Sequence, residues 1–116
     1  MSNRIDTWRE RLTKTATGTT ATVDSERIPA GERCYLQRVA VTNNTTDNAS
    51  CLVSVYTVGY SHALAHFKDL TPGEWAGQAI EMWLGDGESL RFEWSNIVSD
   101  EKLEMMITGQ RRFAND

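Results

Sequence analysis

From about residue 15 onward, apolar and polar positions alternate with a period of two, the repeat of a strand with one dry and one wet face. Leu90, Phe92 and Trp94 alternate with Ser89, Arg91, Glu93 and Ser95, and Leu103, Met105 and Ile107 alternate with Lys102, Glu104 and Thr108. Val53 and Val55 share a face with Cys51, while Val39 and Val41 line one face of the preceding run. The segment Cys34-Tyr35-Leu36 is out of phase with that run if Leu36 also points inward, which places a bulge near Gln37 or Arg38.

The runs fall at 15–23, 33–42, 50–58, 63–69, 75–83, 89–95 and 102–109, with a further short one near 97–100. Turn formers separate them. Thr71-Pro72-Gly73-Glu74 puts Pro where its fixed φ is wanted and Gly where φ must be positive, a type II turn. Ile28-Pro29-Ala30-Gly31-Glu32 and Leu84-Gly85-Asp86-Gly87-Glu88 reuse the same Gly-Glu device, and residues 43–48 (Asn-Asn-Thr-Thr-Asp-Asn) read as a polar hairpin loop. Three Asn-x-Ser/Thr triplets start at Asn43, Asn44 and Asn48 and are read as loop composition. Seven or eight short strands joined by Gly/Pro turns predict an all-β fold, an antiparallel β-sandwich or jelly roll.

One segment breaks the pattern. Ile5, Trp8 and Leu12 fall at i, i+3 and i+7, the spacing of one helix face. We therefore expect residues 1–14 to form an N-terminal arm with a short amphipathic helix, 15–110 to form the sandwich, and 111–116 to be a C-terminal tail. An arm this short does not hold a helix alone in water. Its apolar face is expected to lie on a neighbouring subunit.

Composition bounds the function classes. At 116 residues the chain is one domain, able to bury roughly two-thirds of its unfolded surface. No apolar run approaches the about 18 residues of a membrane helix, and MSNRIDTWRERLTK lacks the apolar core of a secretory signal. The formal net charge is −4 and the Lys and Arg residues are scattered, so no nucleic-acid stripe is visible. Cys34 and Cys51, on neighbouring runs but out of register for a bridge if these form a hairpin, are expected as buried thiols.

Candidate chemistry is thin. His62 and His66 are four apart, but the His-Glu-x-x-His glutamate is missing and strand alternation is plausible there, so they read as surface histidines, not metal ligands. Cys51 sits in a Val-rich run unsuited to a nucleophile. Asp86-Gly87-Glu88 is too short for a calcium loop, and no Gly-x-Ser-x-Gly elbow, phosphate loop or dinucleotide fingerprint occurs. No catalytic, metal or cofactor residue is therefore assigned. Among the tryptophans, Trp94 joins Leu90 and Phe92 in the core. Trp83 points outward if Ile80, Met82 and Leu84 point in, unless a bend turns it back. Ile5, Trp8, Leu12, Trp75 and Trp83 are the candidate partner-binding residues, since large aromatic anchors dominate contact energy.

Ile28-Pro29-Ala30-Gly31-Glu32-Arg33 before a strand ending Val39-Ala40-Val41-Thr42-Asn43, then Leu70-Thr71-Pro72-Gly73-Glu74, then Met82-Trp83-Leu84-Gly85-Asp86-Gly87-Glu88-Ser89-Leu90-Arg91-Phe92, resembles small β-sandwich virion proteins of tailed bacteriophages, over roughly residues 15–109. The resemblance implies a structural, non-enzymatic subunit of the virion, without cofactor. It would decorate a capsid or sit at the neck or tail, bind the major capsid protein or connector and tail subunits, and form a homo-oligomer of three or more copies. Neither nucleic acid nor membrane is an expected partner. A carbohydrate-binding module stacking sugars on Trp83 or Trp75 is the alternative, and a metal enzyme at His62 and His66 a distant third.

Overall fold

Eight strands and no helix make up the regular structure of residues 4–113, the part that the computed structural model describes. The strands are β1 (Arg4–Thr15), β2 (Thr20–Asp24), β3 (Glu32–Asn43), β4 (Ala49–Thr57), β5 (Tyr60–Leu70), β6 (Ala76–Leu84), β7 (Ser89–Ser95) and β8 (Lys102–Phe113). They form two antiparallel four-stranded sheets, a long sheet in the order β1-β8-β3-β6 and a short sheet in the order β2-β7-β4-β5. Strand 1 pairs with 8, 2 with 7, 3 with 6 and 4 with 5. This is one long hairpin rolled up on itself, the jelly-roll wrapping of a two-layer sandwich.

Alternation fills the space between the layers. Cys34, Leu36, Val39 and Val41 of β3 and Leu103, Met105 and Ile107 of β8 face Cys51, Val53 and Val55 of β4 and Leu90, Phe92 and Trp94 of β7, all buried. The Trp94 indole N–H donates to Met105 Sδ at 3.4 Å, so the largest core side chain does not bury an unpaired donor. The expected bulge lies where the register of β3 shifts between Leu36 and Arg38 against both β6 and β8.

The three Gly-Glu turns share one geometry. Gly31, Gly73 and Gly87 have φ of 83°, 84° and 80°, and each following Glu N–H donates to a carbonyl three residues back, on Pro29, Thr71 and Gly85. Positive φ at the third turn position is what only glycine adopts without strain.

Four expectations are corrected. Residues 4–14 do not form a helix or a separate arm: they are β1, paired with β8 along its whole length. A single amphipathic segment of this length satisfies either period on a few residues, and an open edge of β8 offers backbone hydrogen bonds that an isolated helix cannot match. Arg111, Arg112 and Phe113, expected in the tail, complete β8 between β1 and β3, and residues 1–3 and 114–116 of the expected arm and tail lie outside the described residues. The loop at 43–48 is no hairpin but crosses from the long sheet to the short one, because β3 pairs with β6 and β8 whereas β4 pairs with β5 and β7. Residues 97–100 form a loop rather than a strand, pinned by buried Ile97 and by the Val98 N–H donating to Glu101 Oε1 at 3.2 Å.

Glu101 pins the crossing loop. The residue is 1% exposed, and its carboxylate accepts hydrogen bonds from Asn43 Nδ2 (2.8 Å), the backbone N–H of Thr45 (3.0 Å) and Thr46 (2.7 Å), and the Thr46 hydroxyl (2.6 Å). Burial alone would raise its pKa, but the Thr46, Asn43 and Val98 donors outweigh it and hold the carboxyl at about 2.

Candidate functional site

On the outer face of the long sheet the four strands place their side chains in cross-strand rows, read directly from the pairing. Ile5, Arg112 and Arg33 form the first row; Thr7, Gln110, Tyr35 and Trp83 the second; Arg9, Thr108, Arg38 and Ala79 the third; Arg11, Met106, Ala40 and Gly77 the fourth. Thr13, Glu104 and Thr42 follow, with Trp75 just ahead of β6, and Lys102 stands opposite Thr15. Alternation along β6 adds Glu81 to the same side as Trp83 and Ala79. Five arginines and Lys102 thus stand against two carboxylates on one open face of a chain whose net charge is −4. No stripe announces this in the sequence, because no strand supplies more than two of the cations.

Most of these arginines are held in place. The Arg33 and Arg112 guanidiniums lie 4.9 and 5.1 Å from the Trp83 ring centroid, and the Tyr35 ring stands 5.0 Å from it at 52°. Arg11 sits 5.9 Å from the Trp75 ring and bridges Glu104 at 2.7 Å. The Arg38 guanidinium fills the space where a Cβ on Gly77 would stand. None of Arg9, Arg33, Arg38 and Arg112 is ion-paired among the described residues.

The five expected contact residues divide by strand parity. Ile5 (52% exposed), Trp75 (44%) and Trp83 (37%) share this outer face, Trp75 and Trp83 at opposite ends of β6 and Ile5 on the edge strand β1. Trp8, only 3% exposed, and the half-buried Leu12 lie on the inner face, with Trp8 stacked against Gly109. A helix would group residues 5, 8 and 12, but a strand separates 5 from 8 and 12. Trp8 is therefore a core residue, and Leu12 packs against the core.

The other candidates stay apart. His62 pairs with Val55 and His66 with Leu52, and a register shift between Val53 and Ser54 lies between them, so the two imidazoles emerge on opposite sides of β5. Among the described residues no three His, Cys, Asp or Glu side chains converge on one point. His66 instead borders a shallow depression of about 450 Å³ on the short sheet, with Thr20, Thr22, Leu52 and Glu93. Both cysteines are free, fully buried and on different sheets. Burial pushes both thiols up, opposed at Cys34 by Arg111 and reinforced at Cys51 by Glu93. A thiol held protonated is a poor nucleophile.

No protein-family model and no curated protein matches the sequence. Solved structures do share the fold. A subunit of the Bacillus endospore appendages, described as a novel family of disulfide-linked pili, aligns over 100% of this chain and 93% of its own at 12% identity and a TM-score of 0.58. The infectious bursal disease virus VP2 subviral particle aligns over 97% of this chain at 14% identity and a TM-score of 0.52. The protein of the Gt strain of that virus aligns over 95% at 11% and 0.50. This chain spans about a third of those viral chains, 33% and 31%. The class these comparisons define is a fold, the two-layer β-sandwich, shared with a pilus subunit and a virus-particle protein; at these identities the likeness is one of fold alone.

Proposed function

We propose that the chain is a structural subunit of a bacteriophage virion, a capsid-decorating jelly roll that docks on the lattice of the major capsid protein through the outer face of its long sheet and self-associates there. The observation that carries the reading is that face: an open four-stranded surface with arginines stacked on Trp83 and Trp75, residue types that dominate protein–protein contact energy. The fold shared with a virus-particle protein supports it. So does the dispersal of the titratable groups, with His62 and His66 on opposite sides of their strand and both thiols held protonated, and in this reading the chain is neither an enzyme nor a cofactor carrier.

Two other readings are weaker on specific grounds. The pilus neighbour is described as disulfide-linked, whereas Cys34 and Cys51 are 0% exposed and cannot bridge subunits without opening the core. Sugar stacking needs a bare indole face, and the Trp83 and Trp75 rings already carry guanidiniums.

Quantitative mass spectrometry of purified particles tests the proposal. Decoration predicts copies on the order of hundreds, set by lattice symmetry, whereas about a dozen or fewer indicates the neck or tail axis. Absence from particles refutes the virion role.

A further inference from the structure

The outer face of the long sheet also constrains what can lie on it. We infer that its occupant is a carboxylate-rich protein surface, seated between the arginine pair Arg33–Arg112 and the Arg38–Arg9 row; this rests on the docking role proposed above. Arg33 and Arg112 are direct cross-strand partners. Like charges so placed destabilise a sheet by up to about 1 kcal/mol, and nothing among the described residues neutralises this pair. Both guanidinium carbons lie about 5 Å from the Trp83 ring centroid, at 4.9 and 5.1 Å, a cation–π contact that uses none of the N–H donors a carboxylate would take. A carboxylate bridging the two removes the repulsion and finds its donors already in position, which lowers the entropic cost of binding. Arg11 on Glu104 shows the same recognition inside the chain.

The face carries the anatomy of a protein contact. Ala40, Met106 and Ala79 are apolar positions set among the charged rows, and apolar positions rimmed by polar ones are the pattern of a protein contact. Single-stranded nucleic acid is the competing polyanion, and two features weigh against it. The aromatic rings that bases would stack on already lie within 6 Å of guanidiniums. The remaining surface carries the chain's excess of carboxylates, which repels a long polyanion but not a local acidic patch.

The test titrates the full chain with a labelled decaglutamate peptide and, separately, with a thymidine oligonucleotide of equal charge, following anisotropy and tryptophan emission. The peptide is expected to bind at about 0.02 M salt, to weaken at least about tenfold by 0.2 M, and to quench or shift tryptophan emission. Arg33→Glu with Arg112→Glu abolishes binding and the neutral Arg33→Gln with Arg112→Gln weakens it. Lys14→Glu with Lys68→Glu, the same charge change off this face, leaves it intact. Equal urea midpoints show that all variants fold. No peptide binding at low salt, or binding indifferent to the Arg33 and Arg112 changes, overturns the inference, and tighter binding of the oligonucleotide overturns it in favour of nucleic acid. Failure here with normal copy number on particles refutes only the partner's chemistry; absence from particles with peptide binding intact refutes only the virion role.

Discussion

Replacing Trp8 with alanine separates the two roles that the first strand has been given. If residues 4–15 were a docking arm, losing the indole would weaken attachment and leave the domain's stability untouched. In the structure Trp8 is 3% exposed and packs against Gly109, where a Cβ would strike the Tyr35 carbonyl oxygen and press on the Trp8 ring. Its indole N–H is engaged with Glu10 Oε1 at 3.2 Å. Truncating a buried aromatic typically costs about 3–5 kcal/mol. A domain of 116 residues has roughly 6–17 kcal/mol to lose, so Trp8→Ala removes a large fraction of it. With a urea slope of about 1–3 kcal/mol per molar, the midpoint should fall by about 2 M. The matched control is Ile5→Ala, three residues away on the opposite face and 52% exposed, expected to move stability by no more than about 0.5 kcal/mol. Urea unfolding followed by far-UV circular dichroism reads both. A Trp8→Ala protein with the parental midpoint would refute the placement of β1 inside the sandwich and restore the arm.

Acid should unlatch the loop that carries the chain between the sheets. The Glu101 carboxyl has a folded pKa of about 2 against an ordinary value of 4.5, so its contribution is present above about pH 4.5 and is lost as pH falls toward 2. The shift corresponds to up to ~3 kcal/mol. Urea midpoints measured across that interval should fall in the parent more steeply than in Glu101→Gln, which lacks the charge at every pH; parallel curves would remove Glu101 from the account. The thiols give a second check. Cys34 and Cys51, buried and held protonated, should react with Ellman's reagent only as fast as the protein unfolds, and prompt labelling of either in native buffer would contradict its placement in the core.

How much of this was legible from the residues follows from what a strand's period encodes. Alternation names the inner and outer faces of a strand, so the core residues Leu36, Val53, Phe92 and Ile107 and the Gln37 bulge could all be assigned from sequence. The Gly-Glu turns were legible for a different reason: positive φ at Gly31, Gly73 and Gly87 is a local demand that the residue type itself records. Alternation is silent on which strand lies beside which. Nothing within residues 33–58 distinguishes a hairpin from a crossing between layers; the crossing is visible only in the pairing of β3 with β6 and β8 and of β4 with β5 and β7, and the carboxylate that holds its loop, on Glu101, lies more than fifty residues downstream of the Asn43, Thr45 and Thr46 donors. The same blindness hid the arginine face. Arg9, the Arg33 and Arg38 of one strand, and Arg112 lie in three distant parts of the chain, and each read alone is an ordinary charge on a wet face. They become a surface only after β1, β8 and β3 are laid side by side, so the absence of a basic stripe in a sequence excludes a basic surface only where the charges share one helix or one loop. In a rolled hairpin whose strands pair first with last, the charges that meet come from opposite ends of the chain, and a charge search along such a sequence has to be made across the pairing rather than along the chain.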